Sequence, residues 1–182
     1  MKVISVNIGD KKTVEWNGKK IVTGIFKEPV QGPIFLGEED VRNDSVVDRK
    51  YHGGIDQAVY AYSLEHYTYW KQLYPKLEWS FGMFGENLTI NQLDETNIRS
   101  GNRYQLGEVL LEVTKPREPC MKLGVRFGTQ KVLKQFWNST KSGIYFKVLK
   151  TGNVNVNDAL KLVHVNSSGP TIAEMYIAKR GA

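Results

Sequence analysis

TVEWNGKKIVT, residues 13–23, reads as a β-hairpin. Thr13 to Trp16 and Lys19 to Thr23 flank Asn17-Gly18, a pair that accepts the positive φ angles of a type I′ turn. Outward from it, KVISVNI on the N-terminal side and AVYAYS at residues 58–63 are rich in β-branched or aromatic residues, the composition of strands. ENLTI, RYQLG, VLLEVTK, IYFKVLK and ALKLVHV follow, short and separated by Gly, Asn or Asp. That spacing predicts an all-β barrel or sandwich. Helical period is confined to a few places. Ser63 can cap a helix through LEHYTYWKQLY, with Leu64, Tyr67, Trp70 and Tyr74 on one face before Pro75 stops it. Pro119 can open a short helix through CMKLGVRF with Cys120 in its first turn, and TQKVLKQFW gives another. The tail GPTIAEMYIAKRGA has Pro170 as a start signal for one short helix that adds little to the core. The expected architecture is mainly β: a β-barrel with a few peripheral helices, in a single domain over residues 1–182.

Composition narrows the class. A chain of 182 residues folds with about two-thirds of its surface buried, enough for a core without staples, and one cysteine allows no disulfide within the chain. Hydrophobic residues at 41% and charged residues at 24% are those of a globular protein. No stretch has the apolar length of a secretory signal or a membrane span, so a soluble cytoplasmic protein is expected, where a thiol stays reduced. The charge is uneven. Residues 1–114 carry 13 Lys and Arg against 16 Asp and Glu, whereas residues 115–150 carry nine basic residues against Glu118 alone. Such a segment is either a solvated basic face or a site for an anion.

The lone cysteine lies within PREPC, residues 116–120, with Lys115 and Arg117 before it and Lys122 and Arg126 after it. A thiol at a helix N-terminus among cations is poised to ionise; the competing reading is a buried cysteine acting as a small hydrophobe. His52 followed by Gly53-Gly54 makes either a plain tight turn or a place where backbone approaches a ligand beside an imidazole. In GMFGENLTI, Gly82 and Gly85 precede Glu86 and Asn87 just before a strand, a turn that can also present N–H groups to an anion. Other chemistries find no support. The histidines His52, His66 and His164 lack metal-ligand spacing, no serine sits in a GxSxG elbow, and there is no CxxC, Walker A or dinucleotide fingerprint. Aromatics interleaved with cations in YTYWKQLYPK sit at helical spacing and belong to a core rather than a base-stacking platform.

Together, DRKYHGGIDQAVYAY, GMFGENLTI, LEVTKPREPCMKLGVRF and SGIYFKVLKTGNVNVND resemble the MOSC domain, the family named for the C-terminal domain of molybdenum cofactor sulfurase, and within it the stand-alone bacterial YiiM-like branch. The resemblance implies a MOSC-type β-barrel, a molybdenum cofactor (molybdopterin) and a functional cysteine, which falls here on Cys120 as the metal ligand. It implies that His52, Gly53, Gly54, Glu86 and Asn87 line the same pocket, and that Lys115, Arg117, Lys122 and Arg126 are candidates for the pterin phosphate. The implied activity is an oxidoreductase of detoxification, independent of pyridoxal phosphate, that reduces small N-hydroxylated substrates such as base analogues. Since nothing in the chain binds flavin or nicotinamide, a separate electron-donating reductase is implied as partner. Two rival readings are a carrier of the cofactor or of sulfur, with a persulfide on Cys120, and a small nucleic-acid-binding barrel, which is the weaker. The chain departs from the family pattern at Gly101-Asn102 and Asn157-Asp158, where Gly-Asp is usual, and has few residues after Val165 for the family's helical C-terminal extension.

Overall fold

The computed structural model describes residues 1–47 and 53–180. In chain order these form β1 (Val3–Ile8), β2 (Lys12–Trp16), β3 (Lys19–Thr23), β4 (Glu28–Pro29), β5 (Ile34–Leu36), β6 (Val59–Ser63), α1 (Leu64–Leu73), β7 (Leu88–Ile90), β8 (Arg103–Leu106), β9 (Val109–Pro116), α2 (Met121–Phe127), α3 (Lys131–Asn138), β10 (Ile144–Lys150), β11 (Gly152–Val154), β12 (Leu160–His164) and α4 (Ile172–Arg180). A single 3-10 turn, Ile55–Gln57, precedes β6. None of the described helices is long and apolar enough to cross a membrane.

Eight strands make one mixed sheet in the order β12-β8-β9-β10-β6-β7-β1-β4. Most neighbours are antiparallel, but β6 and β7 run parallel, joined through α1, as parallel neighbours require a crossover rather than a hairpin. The hairpin at Asn17-Gly18 forms in the expected register, Trp16 opposite Lys19, yet β2 and β3 stand as a separate two-stranded sheet. β5 and β11, which no alternation announces, pair as a third.

The closed barrel expected from the strand spacing is not found; the sheet is open. Among the described residues, the start of β12 and the turn before it meet the start of β1 through the bridge between Lys2 and Ala159 and through backbone bonds from Leu160 to Met1, from Val3 to Asp158 and from Asn157 to Val3. Past Leu160, β12 has no ladder on that side among the described residues. Closure needs a continuous ladder along both strands, and one bridge is not that.

The central strands are buried on both faces. In β6, Val59 and Ala61 join one apolar cluster while Tyr60 and Tyr62 join another, and in β10 Ile144, Phe146 and Val148 face away from Tyr145. The second cluster is aromatic and is covered by the helices: Tyr62 stacks on Phe84 at 4.1 Å between centroids, and Trp70 on Phe136 at 5.9 Å. Its polar tips are satisfied, with Trp70 Nε1 donating to the Tyr62 hydroxyl at 2.7 Å and Tyr62 donating to the Lys141 carbonyl at 3.1 Å. Tyr67 and Trp70 of α1 are thus core, as their spacing predicted. Ser63 occupies the cap position of α1, but its hydroxyl donates to Glu65 instead of accepting a helix N–H.

Helix α4 contributes more to the core than the tail sequence suggests. Ile172, Ala173 and Tyr176 are buried, and the Tyr176 hydroxyl donates to the Phe136 carbonyl at 3.0 Å. Thr171 and Glu174 form a reciprocal capping box, with bonds of 2.7 and 3.1 Å between each side chain and the other's N–H. Tyr176→Ala is expected to cost about 3–5 kcal/mol, as for a large buried aromatic. Ile177→Ala, at a 52% exposed position one residue on, should change stability by less than about 0.5 kcal/mol. Chemical denaturation of both variants tests the contrast.

Glu86 closes the turn through Gly82 and Gly85. Its buried carboxylate accepts from the N–H groups of Gly82 and Phe84 at 2.9 and 3.1 Å, from Thr89 Oγ1 at 2.9 Å, and from the Tyr67 hydroxyl. An amide in its place turns one acceptor into a donor facing donors, so Glu86→Gln should destabilise by about 1–3 kcal/mol at neutral pH. Burial also raises the Glu86 pKa above 4.5. The folded state then keeps this proton to higher pH than the unfolded chain does, and this group makes stability fall as pH rises through that interval. Glu86→Gln should remove the slope, which melts at a series of pH values will read.

Candidate functional site

Beside Tyr60 and Tyr145, on the face of the sheet that carries the helices, a half-open cleft encloses about 630 Å³, part of it open to solvent. Its walls come from distant parts of the chain: Ile25 and Lys27 after β3, Asp44 to Val47, Gly53 and Gln57, Tyr60 of β6, Gly85 and Asn87 before β7, Arg117, Cys120 and Lys122 after β9, and Tyr145 of β10. β9 ends at Pro116, and the two prolines of PREPC hold a short extended link before α2. Cys120 therefore sits as the residue preceding α2, with φ −123° and ψ 163°, one position earlier than in the helix predicted from the sequence.

Arg117 is 4% exposed. Its guanidinium donates to the Phe84 carbonyl and lies 4.9 Å from the Tyr60 ring centroid, while its Nε has no hydrogen-bond partner. Among the described residues no carboxylate forms an ion pair with it. Burial by itself lowers the Arg117 pKa, but the charges that Tyr60, Tyr145 and Cys120 carry when ionised outweigh it and hold the group well above its usual range. Burial also pushes both phenols up, so they stay protonated at neutral pH.

A second polar assembly lines the same cleft. The ammonium of Lys27 pairs with the carboxylate of Asp44, both side chains nearly withdrawn from solvent at 9% and 2% exposure. Asp44 also accepts from the Gly9 N–H at 3.0 Å and from Asn87 Nδ2 at 2.9 Å. Burial lowers the Lys27 pKa and the Asp44 charge opposes it. The pair exists because two backbone segments are pressed together: a Cβ on Gly24 would stand 1.9 Å from the Ser45 carbonyl oxygen. Asn43, with φ 64°, turns the chain just before Asp44, in the left-handed region that Asn tolerates.

Of the residues predicted from the sequence, the cleft brings together Cys120, Arg117, Lys122, Asn87 and Gly53. Gly54 is next to it, with φ 81°, as the residue that opens the 3-10 turn. Glu86 is not a lining residue; its carboxylate is occupied by the turn described above. Lys115 sits on β9 opposite Tyr145 and outside the lining. Arg126 also lies outside, its guanidinium 4.9 Å from the Phe26 ring centroid. His52 lies outside the described residues. Sequence reasoning missed Lys27, Asp44, Tyr60 and Tyr145. Gly24 was the one local sign of a close backbone approach near Lys27; the tyrosines read only as strand residues.

The MOSC domain family model matches residues 48–161. The chain is 36% identical over 170 residues to YflK, an uncharacterized protein of Bacillus subtilis, spanning 93% of this chain and 76% of YflK. It is 36% identical over 149 residues to a protein of Gibberella moniliformis named Reductase, covering 80% of this chain but only 26% of that one. Among solved structures, YiiM from Geobacillus stearothermophilus superposes with a TM-score of 0.81 at 31% identity, over 98% of this chain and 83% of YiiM. With well over half of its length matched by the family model, and with Cys120 and its proline-stiffened approach in the wall of the cleft, the chain belongs to the MOSC domain family, in its stand-alone bacterial YiiM-like branch.

Proposed function

We propose that the cleft binds a pterin-based molybdenum cofactor, and that the protein uses it to reduce N-hydroxylated compounds with electrons from a separate reductase. The observation that carries this reading is the pairing, in one cleft, of the Cys120 thiol with a buried guanidinium whose Nε is unsatisfied. A buried cation without a carboxylate is costly unless an anion completes it. A phosphate and a thiolate are both suitable, and Arg117 is fixed by the Phe84 carbonyl and the Tyr60 ring so that little side-chain freedom is lost on binding. No cluster of three or more His, Cys, Asp or Glu fit for a metal occurs among the described residues, so a metal here must bring further ligands with it, as a dithiolene does.

When bound, the cofactor supplies a two-electron redox centre for which a single protein thiolate is a soft, sufficient ligand. The chain's own residues do the rest. Arg117 and Lys122 hold the anionic end, Tyr60 and Tyr145 provide neutral aromatic walls that keep water out, and Lys27 holds a proton at Nζ against Asp44. Asn87 does not reach for a ligand in this arrangement; it holds Asp44 in place and accepts the Tyr60 N–H at 3.3 Å. The family and the name of the Gibberella relative support a redox role, and the substrate class is carried by the resemblance alone.

Cys120→Ser exchanges a soft ligand for a hard hydroxyl of nearly the same shape. In protein produced by cells that make the cofactor, elemental analysis should find molybdenum with the wild type and little with Cys120→Ser, and reduction of an N-hydroxylated substrate should be abolished. Because Cys120 is only half-buried, its stability should change by less than about 0.5 kcal/mol. A fully active, destabilised variant defeats the assignment. Arg117→Ala should weaken pterin retention by a few kcal/mol, about the worth of a desolvated charge-assisted contact, measured by pterin fluorescence after release.

A further inference from the structure

Residues 115–150 carry a net charge of +8, and of their cations only Arg117 and Lys122 line the cleft. The rest of the chain is net −2, since the whole is +6, so the basicity is not a general coat. Lys131 and Lys134 are exposed and, three residues apart, share a face of α3. Gly124 lets Gln130, the residue before that face, pack on α2. A Cβ there would come within 2.3 Å of Gln130 Nε2, whose amide donates to the Met121 carbonyl at 3.4 Å. The start of α3 is thus held against the first turn of α2, beside Met121.

Met121 follows Cys120 directly and is 44% exposed, large for an apolar side chain at the rim of a buried site. On its other side Glu118, the single acid of the basic segment, is ion-paired with Lys179 of α4. An adaptable apolar side chain next to the candidate metal-binding thiol thus lies where the segments carrying Lys122, Lys131, Lys134 and Lys179 adjoin. Redox encounters use small contacts between oppositely charged faces, with steering by charge and a little apolar surface at the centre.

We propose that this face docks an acidic electron-carrier protein, delivering electrons on the Cys120 side of the cleft; this rests on the reading of the cleft as a redox site. In the balanced reaction R–NH–OH takes two electrons, delivered one at a time by two successively docked reduced carriers, and two protons from solvent to give R–NH2 and water, and both carriers leave oxidised. The test uses metal-loaded full-length protein, the double variant Lys131→Glu/Lys134→Glu, and two acidic probes, a plant-type [2Fe–2S] ferredoxin and a flavodoxin. Dithionite-reduced methyl viologen serves as the small donor that needs no docking. The carrier concentration for half-maximal turnover should rise about tenfold or more in the variant, and its salt dependence should flatten, while viologen-driven turnover is retained. Equal carrier dependence in both proteins, or turnover with viologen but with neither carrier, overturns the docking and leaves the cleft reading standing. No viologen-driven turnover sinks the cleft reading instead, and the face is then judged by calorimetry with the oxidised carriers at low ionic strength. Binding lost in the variant supports it, and no binding to the wild type overturns it. A labelled single-stranded oligonucleotide that binds more tightly than either carrier, and is lost in the variant, would assign the face to nucleic acid and overturn the proposal.

Discussion

A strand covered on both faces must send alternate side chains into two different cores, and β6 and β10 do this at the centre of the sheet. Val59, Ala61, Ile144 and Phe146 fill one side, while Tyr60, Tyr62 and Tyr145 fill the other. The helices follow from that constraint, because the aromatic side needs a cover and α1, α2 and α3 supply it with Trp70, Phe127 and Phe136. The cleft follows too. Tyr60 and Tyr145 lie at the margin of the aromatic cluster, their rings 5.1 Å apart, and there the packing gives way to polar walls.

Charge in those walls is arranged by desolvation. Four ionisable side chains in or beside them, Lys27, Asp44, Glu86 and Arg117, are almost wholly withdrawn from water. Three of them are satisfied internally: Lys27 and Asp44 by each other, with Asn87 and the Gly9 N–H, and Glu86 by the donors of its turn. Arg117 has the Phe84 carbonyl, the Tyr60 side chain and an orphaned Nε; Arg126 has an orphaned Nε too, but it lies outside the cleft, so within the lining the unmet demand is for an anion at Arg117. The thiol at Cys120 follows it three residues on in sequence and lines the same cleft. That asymmetry, rather than the number of cations, separates a binding site from a basic surface.

Much of this was legible in the residues. The strand runs, the Asn17-Gly18 hairpin and the four helices fall where period and turn chemistry put them, since these signals are local. The capping box of Thr171 and Glu174 was also there to be read, and with it the helix α4 whose Tyr176 reaches the core. The site was half legible. Cys120, Arg117, Lys122, Asn87 and Gly53 carry motif signals and do share the cleft, whereas Glu86, Lys115 and Arg126 sit among the same motifs and are not in its lining. Proximity in sequence to a functional residue sets where a backbone goes but not which way a side chain turns.

Taken alone, the sequence determined the β-rich class, the resemblance to the MOSC family and the electrostatic bias toward residues 115–150, because composition, alternation and motif order are properties of the chain itself. Only the tertiary structure decided that the sheet is open rather than closed, that the Asn17-Gly18 hairpin stands apart from it, and that Lys27 meets Asp44 in the same cleft as Cys120. Each of these depends on contacts between segments far apart in the chain. They form because burying two aromatic and aliphatic faces at once leaves few ways to pack the segments, and no local preference of any one segment encodes the outcome.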